Sequence, residues 1–71
     1  MTDMESGAMK IIEIMGVSPN SFDDAVNQAV AKAAESINGI TGVEVTSQTA
    51  DVRDGTVSRY KVTVKLSFIV R

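Results

Sequence analysis

The sequence predicts an α+β domain: a three-stranded antiparallel β-sheet wrapped around one α-helix, in the order β-α-β-β. Three observations predict it. Residues 9–15, MKIIEIM, form a short apolar run rich in isoleucine. A helix-start signal at Ser21 precedes a stripe of apolar residues spaced three and four apart. Two alternating segments then flank Asp54-Gly55, a strong two-residue hairpin signal.

The run at 9–15 carries Lys10 and Glu13 among its apolar residues, and its length and β-branched content favour a strand. Gly16 and Pro19 punctuate the chain after it. Ser21 with Asp24 three residues on is a variant of the capping box, with Asp in place of the usual Glu. Asp23 and Asp24 also suit the positive end of a helix dipole. The helix is expected from about Phe22 to about Ile37, burying Phe22, Ala25, Val26, Ala29, Val30, Ala33 and Ile37. Gly39 is its natural stop, because glycine accepts the left-handed conformation at little cost.

Residues 41–48, TGVEVTSQ, and the long segment 57–70 alternate as strands. A two-residue turn at Asp54-Gly55 fixes their register. Val43 then faces Leu66, Val45 faces Val64, Ser47 faces Val62 and Thr49 faces Tyr60, on the side that receives the helix. On the opposite side Glu44 meets Lys65, Thr46 meets Thr63 and Gln48 meets Lys61. Opposite charges and a threonine pair fall opposite one another, which supports this register.

The chain has 71 residues, one domain at most. A domain this small is marginal alone and usually relies on disulfides, a metal or oligomerisation. Cysteine and histidine are both absent, which removes disulfides, thiolate zinc sites and imidazole ligands. Oligomerisation remains, and the apolar end Phe68-Ile69-Val70 asks for a second copy to cover it. Residues 1–8, MTDMESGA, read as a polar tail, leaving residues 9–71 as the domain.

The formal net charge of −2 lacks the basic footprint of nucleic-acid binding. The apolar runs are too short for a membrane-spanning helix. MTDMESGAMK is not a secretory signal, so a cytoplasmic location is expected. Nothing points to catalysis. No histidine can activate a serine, GVSPN is not a GxSxG elbow, and the glycines lack phosphate-loop spacing. Asp51 and Asp54 lie beside the turn, and Asp23 and Asp24 at the helix start. Neither pair has the alternating-oxygen pattern of a calcium loop.

KIIEIMGVSPNSFDDAVNQAVAKA, GVEV and RYKVTVKLSF, in this order and spacing, resemble the dodecin family over about residues 9–70. The resemblance implies a non-enzymatic hollow homododecamer that binds small molecules at subunit interfaces. In many dodecins those are flavins, riboflavin, FMN or FAD, stacked in pairs on a tryptophan and contacted by a glutamine. Storage of flavin is the role it implies. A second group without the tryptophan is associated with calcium.

The family pattern puts the tryptophan position at Gly42 and the glutamine position at Lys61. Glu44 and Gln48 complete the candidate ligand-binding set on the same polar face. Glycine offers no ring, and an aromatic platform contributes on the order of 1 kcal/mol or more per stacked contact. Lysine only donates, where an amide both donates and accepts. The expectation is a dodecin-like cage with flavin affinity weak or lost. A calcium- or cation-binding cage and a purely structural assembly without ligand are the alternatives.

Overall fold

The structure, a computed structural model, describes residues 6–70. Residues 1–5 of the expected tail, and Arg71, lie outside the described residues. The order is β1 (Met9–Ser18), α1 (Phe22–Ala34), β2 (Ile40–Arg53) and β3 (Thr56–Ile69). The three strands form one antiparallel sheet in the order β1-β3-β2. The long strand β3 is therefore central, and β1 and β2 are both edges. The hairpin runs past the end of β1, and the molecule is elongated, 52 × 20 × 17 Å.

The core lies between α1 and the sheet. Val62, Val64 and Leu66 on β3 meet Ala25, Ala29 and Ala33 on the helix, all buried. Ile12, Ile14, Phe22, Val26, Val30 and Ile40 pack around them. Small helix residues let the backbone approach the sheet closely. The approach is tightest at Gly16, where an added Cβ would overlap the carbonyl oxygen of Ala25 and lie 2.8 Å from its carbonyl carbon. Gly16 is thus not punctuation. It sits inside β1, which continues to Ser18, because the strand must pass under the helix there.

The helix begins as expected. Ser21 caps it, its hydroxyl accepting from the Asp24 amide at 2.9 Å. The return half of the box runs through Ser18. The buried Ser18 hydroxyl donates to Asp24 Oδ2 at 2.6 Å and accepts from the amides of Asn20, at 2.9 Å, and Ser21, at 3.4 Å. Aspartate is one methylene shorter than glutamate, and the serine spans the difference. The helix ends at Ala34, earlier than Ile37. The amides of Ser36 and Ile37 both turn back to the Ala33 carbonyl, and Gly39, at φ 81°, redirects the chain into β2. Phe22 and Tyr60 meet edge to face with ring centres 4.9 Å apart.

The hairpin turns at Asp54-Gly55, both with positive φ. Val43↔Leu66, Glu44↔Lys65 and Val45↔Val64 pair as the turn predicts. Between them and the turn the register differs. Ser58 is an extra residue on β3 and Thr46 an extra residue on β2, so the intervening pairs slip by one. Ser47 faces Thr63, Gln48 faces Val62, Thr49 faces Lys61 and Asp51 faces Arg59. The expected pairs Ser47–Val62, Thr49–Tyr60, Thr46–Thr63 and Gln48–Lys61 are therefore replaced. Thr46 keeps contact with Thr63 through its hydroxyl, which donates to the Thr63 carbonyl at 3.1 Å.

The helix covers β1 and β3 and barely reaches β2. Val43 and Val45 lie on the helix side yet remain 47% and 44% exposed. The outer side of β1 is apolar as well, with Ile11 60% and Met15 51% exposed.

Candidate functional site

Paired residues share a face, so the sheet face away from the helix is read from the register. It carries Ile11, Glu13, Met15 and Val17 on β1, Lys61, Thr63, Lys65 and Ser67 on β3, and Gly42, Glu44, Ser47, Thr49 and Asp51 on β2. Three of the four candidate ligand residues are here: Gly42, Glu44 and Lys61. Gln48 is not. The extra residue at Thr46 turns it to the helix side, opposite buried Val62.

Gly42 and Glu44 share an open depression of about 250 Å³ with Ile11, Val43, Lys65 and Ser67. The Ser67 hydroxyl stands 2.6 Å from where a Cβ at position 42 would be, so any side chain there requires it to turn away. Glu13, Lys65 and Glu44 form one row across the three strands, a cation between two carboxylates.

Lys61 belongs to a different neighbourhood. Its ammonium lies 3.1 Å from Asp51 Oδ1. Arg59 donates to the other carboxylate oxygen, Oδ2, through Nε at 3.1 Å and Nη2 at 2.9 Å. Arg59, and then Lys61, hold the Asp51 carboxyl below the usual carboxylate range. A larger open depression, about 680 Å³, adjoins this cluster and is lined by Ala50, Asp51, Val52, Arg53, Ser58 and Arg59. Lys61 and Ser67, the partner of Gly42, are six residues apart on β3, roughly 20 Å at strand rise. Within one chain Gly42 and Lys61 share a face without forming a single site.

The residues present lack the aromatic platform on which a flavin would stack. No ring stands at position 42, and Lys61, paired with Asp51, has no acceptor to offer a flavin edge. The carboxylates are dispersed too. Among the described residues, no three of His, Cys, Asp and Glu converge.

The family model for dodecin matches residues 8–71. The chain belongs to the dodecin family. Among sequence relatives, calcium dodecin of Mycobacterium tuberculosis is 32% identical over 62 residues, 87% of each chain. Dodecin from Streptomyces coelicolor has a similar structure, with a TM-score of 0.91 and 31% identity over 96% of this chain and 97% of that one. The structure of M. tuberculosis calcium dodecin, described as calcium-chelating with a calcium-binding site, has a TM-score of 0.79 and 32% identity. It covers 92% of this chain and 93% of that one. Dodecin from Streptomyces davaonensis, at 23% identity and a TM-score of 0.86 over 90% and 94% of the two chains, shares the fold.

The register slip is what sequence reasoning missed at this dodecin face, and with it the Asp51–Lys61 pair. The surviving signal was charge. Asp51 lies two residues from Thr49, and Arg59 and Lys61 alternate on the facing strand. One extra residue puts all three on one face.

Proposed function

We propose that this dodecin is a non-enzymatic homododecameric cage, a cytoplasmic small-molecule binding and storage protein whose flavin affinity is weak or lost. The observation that carries this reading is Gly42, at the family's stacking position, with the Ser67 hydroxyl standing over the place a side chain would start. The roughly 20 Å between Gly42 and Lys61 along the strand supports a ligand site built from more than one copy. The apolar residues exposed on both sides of the sheet are consistent with burial against those copies. No helix among the described residues is long and apolar enough to cross a membrane.

Riboflavin titration, followed by loss of its fluorescence, tests the ligand half of the proposal. Shallow quenching, far from saturation at micromolar protein, is expected. Tight quenching at a fixed ratio of flavin to chains defeats it.

The 32% identity to calcium dodecin favours a second reading, a cation-binding cage. Asp51 and Asp24 are poor candidates for ligands. Asp51 already accepts from Arg59 and Lys61, and Asp24 from Ser18. Glu13, Glu44, Asp23 and Asp54 would have to meet across copies. Calorimetry with calcium separates the readings: binding heat together with a chelator-sensitive melting temperature selects the cation cage. A structural assembly without ligand gives neither signal.

A further inference from the structure

The Asp51 cluster has the chemistry of an anion site that already holds an anion. Arg59 presents two adjacent N–H groups, Nε and Nη2, to one oxygen of the Asp51 carboxylate, and Lys61 presents its ammonium to the other. A planar guanidinium edge beside a point-charge ammonium is how proteins grip carboxylate and phosphate oxygens. The arrangement comes from the sheet itself. The slip between Val45 and Asp51 sets Asp51 opposite Arg59, and the pleat puts Lys61 two residues further on the same face.

The local charge is in surplus. Arg59 and Lys61 hold one carboxylate, and Arg53 lines the depression beside them, with Asp54 at the adjacent turn. The chain as a whole is negative. The resident contact is also easily given up. Within a single chain the side chains of Arg59 and Asp51 are 57% and 36% exposed, and ion pairs of that kind contribute little against water. A phosphate brings more charge and more acceptor oxygens than the carboxylate it would displace.

We propose that Arg59 and Lys61, with Arg53 at the rim, form a binding site for the phosphate group of a small molecule, which Asp51 occupies as a built-in competitor. The site lies at the distal half of the hairpin and shares Lys61, but not Gly42, with the candidate ligand set. Phosphate enters as Asp51 swings aside, so affinity in the wild-type protein is low. No covalent step is involved.

The test is isothermal calorimetry with inorganic pyrophosphate on the assembled wild-type protein, on Asp51→Asn, and on Asp51→Asn combined with Arg59→Gln. Asp51→Asn should bind at least about tenfold more tightly than wild type, since it removes both a competitor and a like charge. Adding Arg59→Gln should abolish that gain, and raising salt from about 50 to 200 mM should weaken it. No gain in Asp51→Asn, or a gain that survives Arg59→Gln, overturns the proposal. So does wild-type binding as tight as that of Asp51→Asn, since Asp51 would then compete with nothing. If Asp51→Asn fails to assemble, Asp51→Ser carries the same expectation. Riboflavin, which carries no phosphate, separates this site from the ligand reading above: it should gain less from Asp51→Asn than pyrophosphate does, and any gain should survive Arg59→Gln.

Discussion

Replacing Gly16 with alanine tests how α1 is seated on the sheet. A methyl there would overlap the Ala25 carbonyl oxygen, lie 2.8 Å from the carbonyl carbon and 3.0 Å from Ala29 Cβ. Two of these three atoms are backbone, so no rotamer change relieves the contact. Ordinary contact begins at 3.4 Å, so the carbon alone demands a retreat of 3.4 − 2.8 = 0.6 Å, and the oxygen demands more. A radial gap of about 0.5–1 Å forfeits a quarter to a half of each dispersion well. The gap would open along Ala25 and Ala29 against Val62 and Val64, the centre of the core. Overpacking of this kind costs about 3 kcal/mol, offset by under about 1 kcal/mol from the stiffer unfolded chain. For a domain this size, that lowers Tm by on the order of 10 °C. Guanidinium or thermal melts of Gly16→Ala beside Gly42→Ala provide the measurement. At Gly42 the only close atom is the rotatable Ser67 hydroxyl, so that variant should be nearly neutral. If Gly16→Ala melts with Gly42→Ala, the close approach of helix and strand is wrong.

Ser18→Ala should cost about 2 kcal/mol, because it leaves two amides and a carboxylate without their shared partner. Ser21→Ala, the loss of the cap alone, should cost about 1 kcal/mol, and denaturant melts of the two variants check the ranking. Leu66→Ala, at the fully buried centre of β3, should cost about 2–5 kcal/mol in the same assay. Asp51 has its carboxyl pKa depressed in the folded state, so its ion pairs stabilise above the ordinary carboxylate pKa. That contribution fades as pH falls below about 4 and through the folded value, so the Tm difference between wild type and Asp51→Asn should shrink on acidification. A difference that grows instead contradicts the Asp51 contacts.

The strand order along the chain, the helix start at Ser21 and the Asp54-Gly55 turn were legible because each has a local signal. The small-residue helix face was legible for the same reason. Gly16 was not. Glycine in a sequence signals both a turn and a close backbone approach, and only the position of Ala25 distinguishes them. The central register was hidden for a different reason. One extra residue on β3, Ser58, is cancelled by one on β2, Thr46, so the pairs beside the turn and those from Gly42 to Val45 obey the count from the turn, until a further extra residue, Thr41, shifts Ile40 onto Phe68. The stretch between Ser58 and Thr46 slips by one, and Gln48 and Lys61 lie within it. The candidate site was therefore legible at Gly42 and Glu44, outside the slip; Lys61 fell on the expected face with Thr49 rather than Gln48 opposite it, and Gln48 alone was placed on the wrong face.

The claim on which the account rests is that copies of this chain cover its exposed sheet faces as a dodecin shell. Light scattering coupled to size-exclusion chromatography, at micromolar protein, measures it directly. Twelve chains of 7.6 kDa predict a single species of about 91 kDa. A monomer or dimer under those conditions would contradict the assembly and the inter-subunit ligand face together.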